Sequence, residues 1–406
     1  MKQLALAHRL SGIALALFLP LHFWALGQAL HGEARLESFL RWTDQPLVKA
    51  SEWAIVLLLA IHLTGGVRIL MIEFLPWRDW QKTLAAAAAA TALAIGLLFA
   101  LSSSAHAQAW PQKSVRFIVP FPPGGATDIS ARLLGQKLTD TWGQTVVIEN
   151  RGGAGGGVGA AEAARAAPDG YTLFFPSGSV VTANQHIYAK LGYDPEKDFV
   201  PVTNVVSGPQ VLTVPANSPY KTVQELIDAG RAHPGKLLFG HAGIGSQTHL
   251  AAENFVHQAK LEAVAVPYRG EGPGLAALVG GETHFFVGNV AASIGFIKGG
   301  RLRALGVTSK TEFAQLAGVP PIANAVPGFE NTGWFGIVAP RGTPKEIIDK
   351  VYRDTKKALE DPVMKEKFFA QGLAPVGNTP EEMGQAMRLE SELWKNVVNA
   401  RKIQVK

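Results

Sequence analysis

At 406 residues the chain is long enough for two or three domains, and its 47% hydrophobic content supplies enough apolar surface for their cores, which excludes a disordered protein. The net charge of +6 is mild: eight basic and six acidic residues precede Gln108, leaving about +4 on the remainder, too little to argue for nucleic acid. No cysteine is present, so thiol catalysis, iron–sulfur ligation and disulfides are excluded.

Three apolar stretches open the chain. Ser11 to His31, Glu52 to Ile72 and Leu84 to Leu101 are each about 18 to 21 residues, the length that crosses a bilayer as a helix. Trp24, Trp42, Trp53, Trp77 and Trp80 fall mostly near their ends, where an indole prefers the interface. Lys2 and Arg9 before the first stretch, with Arg78 and Lys82 before the third, favour a cytoplasmic N-terminus and place everything after Leu101 outside the cytoplasmic membrane. The third stretch has a second reading. Lys82, an alanine- and leucine-rich run and then Ala105-His106-Ala107 follow the basic, apolar, small-residue order of a secretory signal, cleaved before Gln108. The C-terminal part is tethered if uncut and free in the periplasm if cut.

His8-Arg9-Leu10-Ser11-Gly12 and His62-Leu63-Thr64-Gly65-Gly66-Val67-Arg68 resemble motifs of the cytochrome b membrane-anchor subunit of succinate dehydrogenase, over about the first 80 residues. The resemblance implies that His62 is an axial ligand of haem b and that Arg9 stands near a quinone headgroup; that family usually has a second histidine after the later arginine, where this chain has Ile69. Histidine inside a span is costly unless partnered. With antiparallel spans, His22 and His62 agree in depth to roughly 3 Å at 1.5 Å per residue, so they can clamp one haem or each hydrogen-bond a neighbouring helix.

From Trp110 the pattern changes to short apolar runs alternating with helical periods. Val115 to Pro120, Thr145 to Glu149, Tyr171 to Phe175, Val200 to Val206, Val211 to Val214, Lys236 to Gly240, Ala263 to Pro267, Thr283 to Val287, Leu302 to Thr308 and Gly333 to Ala339 read as strands. Such alternation specifies α/β layers with a largely parallel sheet, and about 300 residues suffice for two such lobes. Ligands in these folds bind at the carboxyl ends of strands.

In Phe117 to Arg132, a strand, the run Pro122-Pro123-Gly124-Gly125 and a helix capped by Thr127 or Asp128 form a strand–turn–helix unit. The glycine amides can approach a ligand closely, and the helix start favours a carboxylate or phosphate. The same unit also describes an ordinary capped βα turn. Gly125, Ala126 and Thr127 can donate amides to a carboxylate, while Asp128 caps the helix or accepts from a ligand hydroxyl or amine, with water between it and any carboxylate. Ser177-Gly178-Ser179 forms a second, hydroxyl-rich loop. Gly245, Ser246, Gln247 and Thr248 repeat the glycine-turn helix start. Two such starts facing one cleft suit a dicarboxylate.

Enzyme readings fit poorly. The run Gly152 to Gly159 does not match G-x-G-x-x-G, no P-loop lysine follows it, and no serine sits in G-x-S-x-G. His249, Glu253 and His257 share one helical face, as metal ligands or as a solvated polar face. Thr343 to Leu359, Pro362 to Gln371 and Thr379 to Lys402 read as amphipathic helices packing on the first lobe, with hinge strands near Val206 to Val214 and Thr308 to Gly333.

PFPPGGATD at Pro120 to Asp128, VVIENRGGAGGGVG at Val146 to Gly159, APDGYTL at Ala167 to Leu173, YDPEKDFVPV at Tyr193 to Val202, GIGSQTHL at Gly243 to Leu250, VPYRG at Val266 to Gly270 and APRGTP at Ala339 to Pro344 resemble, in order, the Bug-type substrate-binding proteins of tripartite tricarboxylate transporters. The resemblance implies a two-lobed type II periplasmic-binding-protein fold, preceded here by three transmembrane helices, closing on a small carboxylate without a cofactor. Many members of that family carry an aspartate after the strand Thr283 to Val287, where this chain has Gly288-Asn289, so a less cationic or more anionic ligand can be tolerated. Tyr268 can stack on the guest or pack within its lobe.

The expected organisation is a membrane anchor at 1–80, a third span or internal signal at 81–107, a first lobe at 108–206 and 334–406, and a second at 207–333. The expected ligand set is Gly124, Gly125, Ala126, Thr127, Asp128, Ser177, Ser179, Gly245, Ser246, Gln247, Thr248, Tyr268 and Asn289. The expected partners are a carboxylate, the membrane components of the transporter and the lipid bilayer; the alternative is a haem- and quinone-binding electron-transfer anchor fused to a periplasmic sensor.

Overall fold

The computed structural model describes residues 6, 9–18, 20, 46–74, 83, 87, 90–91, 94, 110–401, 403 and 405. The chain divides into two compact units, Met1–Ala109 and Trp110–Lys406.

In the first unit the helix α1, Pro46–Phe74, contains the expected second span, and residues 9–18 are helical. Ser11 Oγ lies 3.3 Å from His62 Nδ1, and Gly12 leaves room for the imidazole, since a Cβ there would sit 2.9 Å from its Cε1. Among the described residues no helix is long and apolar enough to cross a membrane, so the three expected spans lack structural support. Lys49, Glu52, Arg68 and Glu73 all lie within α1. Most of the first and third stretches, His22 and the expected cleavage point after Ala107 fall outside the described residues.

The second unit is built on a ten-stranded sheet ordered β2-β1-β3-β9-β4-β7-β5-β6, with β8 and β10 also pairing with β4. Here β1 is Val115–Val119, β2 Val146–Asn150, β3 Thr172–Phe174, β4 Phe199–Pro215, β5 Leu237–His241, β6 Ala263–Pro267, β7 Phe285–Asn289, β8 Leu302–Val307, β9 Thr332–Pro340 and β10 Ala374–Pro375. β1, β2 and β3 are parallel neighbours, as are β5, β6 and β7, each trio fed by crossover helices. Ala126–Trp142 (α2) and Gly157–Ala164 (α3) serve the first trio; Val223–Ala232 (α4), Gln247–Gln258 (α5), Glu271–Val279 (α6) and Val290–Lys298 (α7) serve the second.

β4 joins the two trios. It pairs antiparallel with β9 from Phe199↔Pro340 to Pro209↔Thr332, then with β7 from Gln210↔Asn289 and with β8 from Val211↔Val307. The sequence reading broke this strand at Ser207 to Gln210, where a glycine and a proline imitate a loop. The backbone runs on because Pro209 and Gln210 exchange one partner strand for another. Gln210 is fully buried at the exchange: its N–H donates to Thr308 Oγ1 at 2.7 Å, its Oε1 accepts from Asn331 at 2.5 Å, and its amide nitrogen donates to the Gln247 carbonyl at 3.4 Å.

Each side of that exchange has its own core. Val115, Phe117, Leu134, Phe175, Val202, Phe335 and Ile337 form one, with Ile348 and Val351 of α8, Lys345–Glu360, and Phe368 of α9, Pro362–Ala370. Leu212, Leu226, Phe239, Phe255, Phe285 and Phe329 form another. The last helix, α10, Pro380–Arg401, starts with a reciprocal cap in which Thr379 N–H donates to Glu382 and Glu382 N–H donates back to Thr379 Oγ1. Its Val398 and Ile403 beyond it pack with Ile187 and Leu250, so the tail touches both sides rather than the first alone.

Phe117 is fully buried and stacks on Phe175 at 6.0 Å between ring centroids. Phe117→Ala should destabilise the second unit by about 3–5 kcal/mol, read from the shift of its urea unfolding transition.

Candidate functional site

Two glycine turns bring helix starts toward each other across the β4 exchange. After β1, the turn Pro122-Pro123-Gly124-Gly125 leads into α2, whose N-cap is Gly125, with no side-chain cap. The expected cap by Thr127 or Asp128 does not form. Asp128 turns back instead: its carboxylate accepts from Gly124 N–H at 3.0 Å, Asn150 Nδ2 at 2.9 Å and Arg132 Nε at 3.0 Å. It is 3% exposed and braces the turn, whose Gly124 sits at φ +86, a conformation side chains rarely adopt.

After β5, Gly243 and Gly245 turn the chain into α5. Ser246 is its N-cap, accepting from His249 N–H at 3.3 Å, and Thr248 Oγ1 accepts from Ala242 N–H at 2.9 Å. The first amides of such a helix have no intrahelical acceptor, so Gln247 and Thr248 offer free N–H groups. Two buried imidazoles support the turn from behind: His241 Nδ1 accepts from Gly243 N–H at 3.2 Å and His249 Nδ1 from Gly245 N–H at 3.3 Å, with their rings 4.2 Å apart. Burial pushes His241 down to about 4, and burial together with the neighbouring His241 pushes His249 down to about 3. His257 is exposed, and the described residues hold no group of three metal-ligating side chains.

A third strand–turn–helix unit, not singled out from sequence, completes the site. Gly270, at φ +124 against Pro122, ends the turn after β6, and Glu271 opens α6. Its carboxylate accepts from Asn289 N–H at 2.6 Å, from Asn289 Nδ2 at 3.1 Å and, across the cleft, from Ala126 N–H at 3.2 Å. Glu271 is 6% exposed and makes no ion pair among the described residues. Burial raises its pKa, and the donors from Ala126 and Asn289 pull it back. The wall that was expected to have lost a carboxylate at Gly288-Asn289 therefore carries an acidic side chain, supplied by α6.

A cavity of about 20 Å³ lies between the three helix starts, room for roughly one water. It brings together Gly125, Thr127, Ser177, Ser246, Gln247, Thr248 and Asn289 of the expected set, and adds Phe121, Ala242, Glu271 and Phe335. Gly124, Ala126, Asp128, Ser179, Gly245 and Tyr268 do not line it. Ala126 is engaged by Glu271, and Ser179 lies 3.3 Å behind Ser177. Tyr268 lines an adjoining cavity of about 80 Å³, bordered also by Arg269 and Gly153 to Gly156, and its hydroxyl donates to Glu282 at 3.2 Å. Gln247 Oε1 is buried at the cavity without a hydrogen-bond partner among the described residues. The two sides meet elsewhere through Tyr188, whose hydroxyl donates to the Ile244 carbonyl at 2.7 Å, and Gly155, where any Cβ would collide with that same carbonyl.

Residues 130–403 match the model of the tripartite tricarboxylate transporter family receptor, and residues 2–98 match that of the succinate dehydrogenase/fumarate reductase transmembrane subunit. The chain is similar to Protein BugT of Bordetella pertussis, 35% identical over 75% of this chain and 95% of that one. It is also similar to a Rhodopseudomonas palustris protein solved with adipate (35% identity, TM-score 0.71, 73% of this chain and 99% of that one). MatC from the same organism, with bound malate, is 31% identical with a TM-score of 0.68, over 71% of this chain and all of that one.

Both histidines have folded-state values below the ordinary 6.5, so their contribution to stability is complete above that pH and is lost as the pH falls toward about 4 and 3. Acidification from pH 7 to 5.5 should cost ~1 kcal/mol per histidine, measured by denaturant unfolding across pH, and His241→Asn with His249→Asn, which keep an acceptor near Nδ1, should flatten that slope.

Proposed function

Because the chain belongs to the tripartite tricarboxylate transporter receptor family, whose members are periplasmic solute-binding receptors rather than enzymes, we propose that its cleft captures a small carboxylate and presents it to the membrane components of such a transporter. One observation carries this reading: helix starts from both sides of the β4 exchange line one cavity, and Gln247 Oε1 is left there unpaired. Free helix-start amides favour an anion, and Ser177, Ser246 and Thr248 add hydroxyls at the same wall. The adipate and malate with which two relatives were solved support the carboxylate class.

We assign the first lobe to 108–206 and 334–406 and the second to 207–333, so that β4 and the return through Thr308 to Gly333 are the crossings. A cavity of about 20 Å³ is too small for an organic acid, so the lobes spread to admit it and close around it, with Tyr188 and Gly155 forming the closing contact to Ile244. Gly125, Thr127, Ser177, Ser246, Gln247, Thr248 and Asn289 contact the ligand. Gly124, Ala126, Asp128, Ser179 and Gly245 shape the turns, and Tyr268 borders the entrance. The binding domain requires no cofactor for this role.

For the N-terminal unit, the match of residues 2–98 to a transmembrane subunit supports tethering to the membrane, with the second unit in the periplasm. The Ser11–His62 contact favours a helix-packing role for His62 over haem ligation.

Calorimetric titration of the full chain with adipate, malate, succinate, citrate, glutamate, nicotinate and terephthalate should find at least one that binds, and Ser246→Ala should weaken it about tenfold, one hydrogen bond's worth. Failure of every acid to bind at millimolar concentration would remove the proposal.

A further inference from the structure

The carboxylate of Glu271 is a fixed part of the second lobe. Two of its three donors, the amide and side chain of Asn289, belong to that lobe and give it bonds of 2.6 and 3.1 Å, whereas the Ala126 amide of the first lobe gives one of 3.2 Å. Spreading the lobes therefore breaks only the Ala126 bond. Glu271 stays on the wall beside Ser246 to Thr248, held also by the start of its own helix.

The cavity lining is correspondingly rich in acceptors. Glu271 contributes a carboxylate, and Gln247, 9% exposed, contributes an unpartnered Oε1. No lysine or arginine lines the cavity; Arg269, which is exposed, lines the adjoining one. The start of α5 offers free donors, whereas at the start of α2 the Ala126 amide already serves Glu271. A guest with two carboxylates would bring one of them against Glu271 in a water-poor site, where like charges repel and unpaired acceptors remain unsatisfied. A guest with one carboxylate and one ammonium satisfies both ends.

Resting on the carboxylate-binding reading above, we propose that Glu271 is the specificity-determining residue of this receptor and commits it to zwitterionic ligands, an amino acid or ω-amino acid whose carboxylate meets the α5 start and whose ammonium meets Glu271 and Gln247 Oε1. The residue acts by selecting the group opposite the carboxylate. Glu271 also places a carboxylate of the protein's own against the first amide of α2.

The test is calorimetric titration of the full chain with matched pairs of equal length: succinate against 4-aminobutyrate, glutarate against 5-aminopentanoate and adipate against 6-aminohexanoate, with aspartate and glutamate included. Wild type should bind the amino member of at least one pair ten or more times more tightly than its dicarboxylate. Glu271→Gln, which keeps the shape, and Glu271→Gly, which removes it, should shrink that preference at least tenfold, with thermal unfolding confirming that each variant is folded. A wild-type preference for the dicarboxylates, or a preference unchanged in folded variants, overturns the role of Glu271 and leaves carboxylate capture standing. Absence of binding by every acid, in wild type and variants alike, overturns both.

Discussion

A buried carboxylate held by amide dipoles, and by no cation among the described residues, is the constraint on which the site turns. Removing a charge from water is expensive unless its oxygens find hydrogen bonds, and Glu271 finds them from the Asn289 amide, the Asn289 side chain and the Ala126 amide. The two donor residues sit at the starts of separate helices, α7 and α2, and Glu271 at the start of a third, α6. Gly270 lets the backbone pass against Pro122, so that α6 opens at the cleft, and Gly124 lets α2 begin with its amides facing the same space. Asp128 stabilises the second of these turns from within by accepting from Gly124 and Asn150.

In the two-lobed reading proposed above, these units approach and separate because only a few backbone segments connect the lobes. β4 passes from β9 to β7 and β8 at Pro209 and Gln210, and the hydrogen bonds of Gln210 tie that point to Thr308, to Asn331 and to the first turn of α5. The cores on either side are separately packed around Phe117 and Phe285, which in that reading confines bending to the crossings. The first turn of α5 is thereby tied to the strand exchange through Gln210 and the Gln247 carbonyl.

Much of this was legible in the sequence. Nine of the ten strands follow from short apolar runs, although β4 read as two because Ser207 to Gln210 looks like a turn; a strand that changes partners has no signature in local composition. The two-residue β10 is too short to leave any periodicity. Glycine followed by Thr or Ser before a helix pointed to two of the three turns around the cavity, those at Gly125 and Gly245. What could not be read was direction. Asp128 sits where a cap would sit, and only the packing of Asn150 and Arg132 beside it shows that it faces the turn. Glu271 follows the motif VPYRG by a single residue, at the same position after a glycine as Ala126; a charged residue there signals a helix start, but that it faces inward depends on Pro122 lying across Gly270. The histidine face of α5 divided for the same reason, His249 turning to the Gly245 amide while His257 remains in solvent.

The account rests on the free amides of α5 and the Glu271 carboxylate forming the two ends of one binding site. A crystal structure of the full chain with its tightest-binding acid tests this most directly. The account predicts a ligand carboxylate within hydrogen-bond distance of the Gln247 and Thr248 amides and a ligand donor against Glu271, with the lobes closed over both. A ligand seated away from the α5 start, or one whose second carboxylate displaces Glu271 from Ala126, would contradict it.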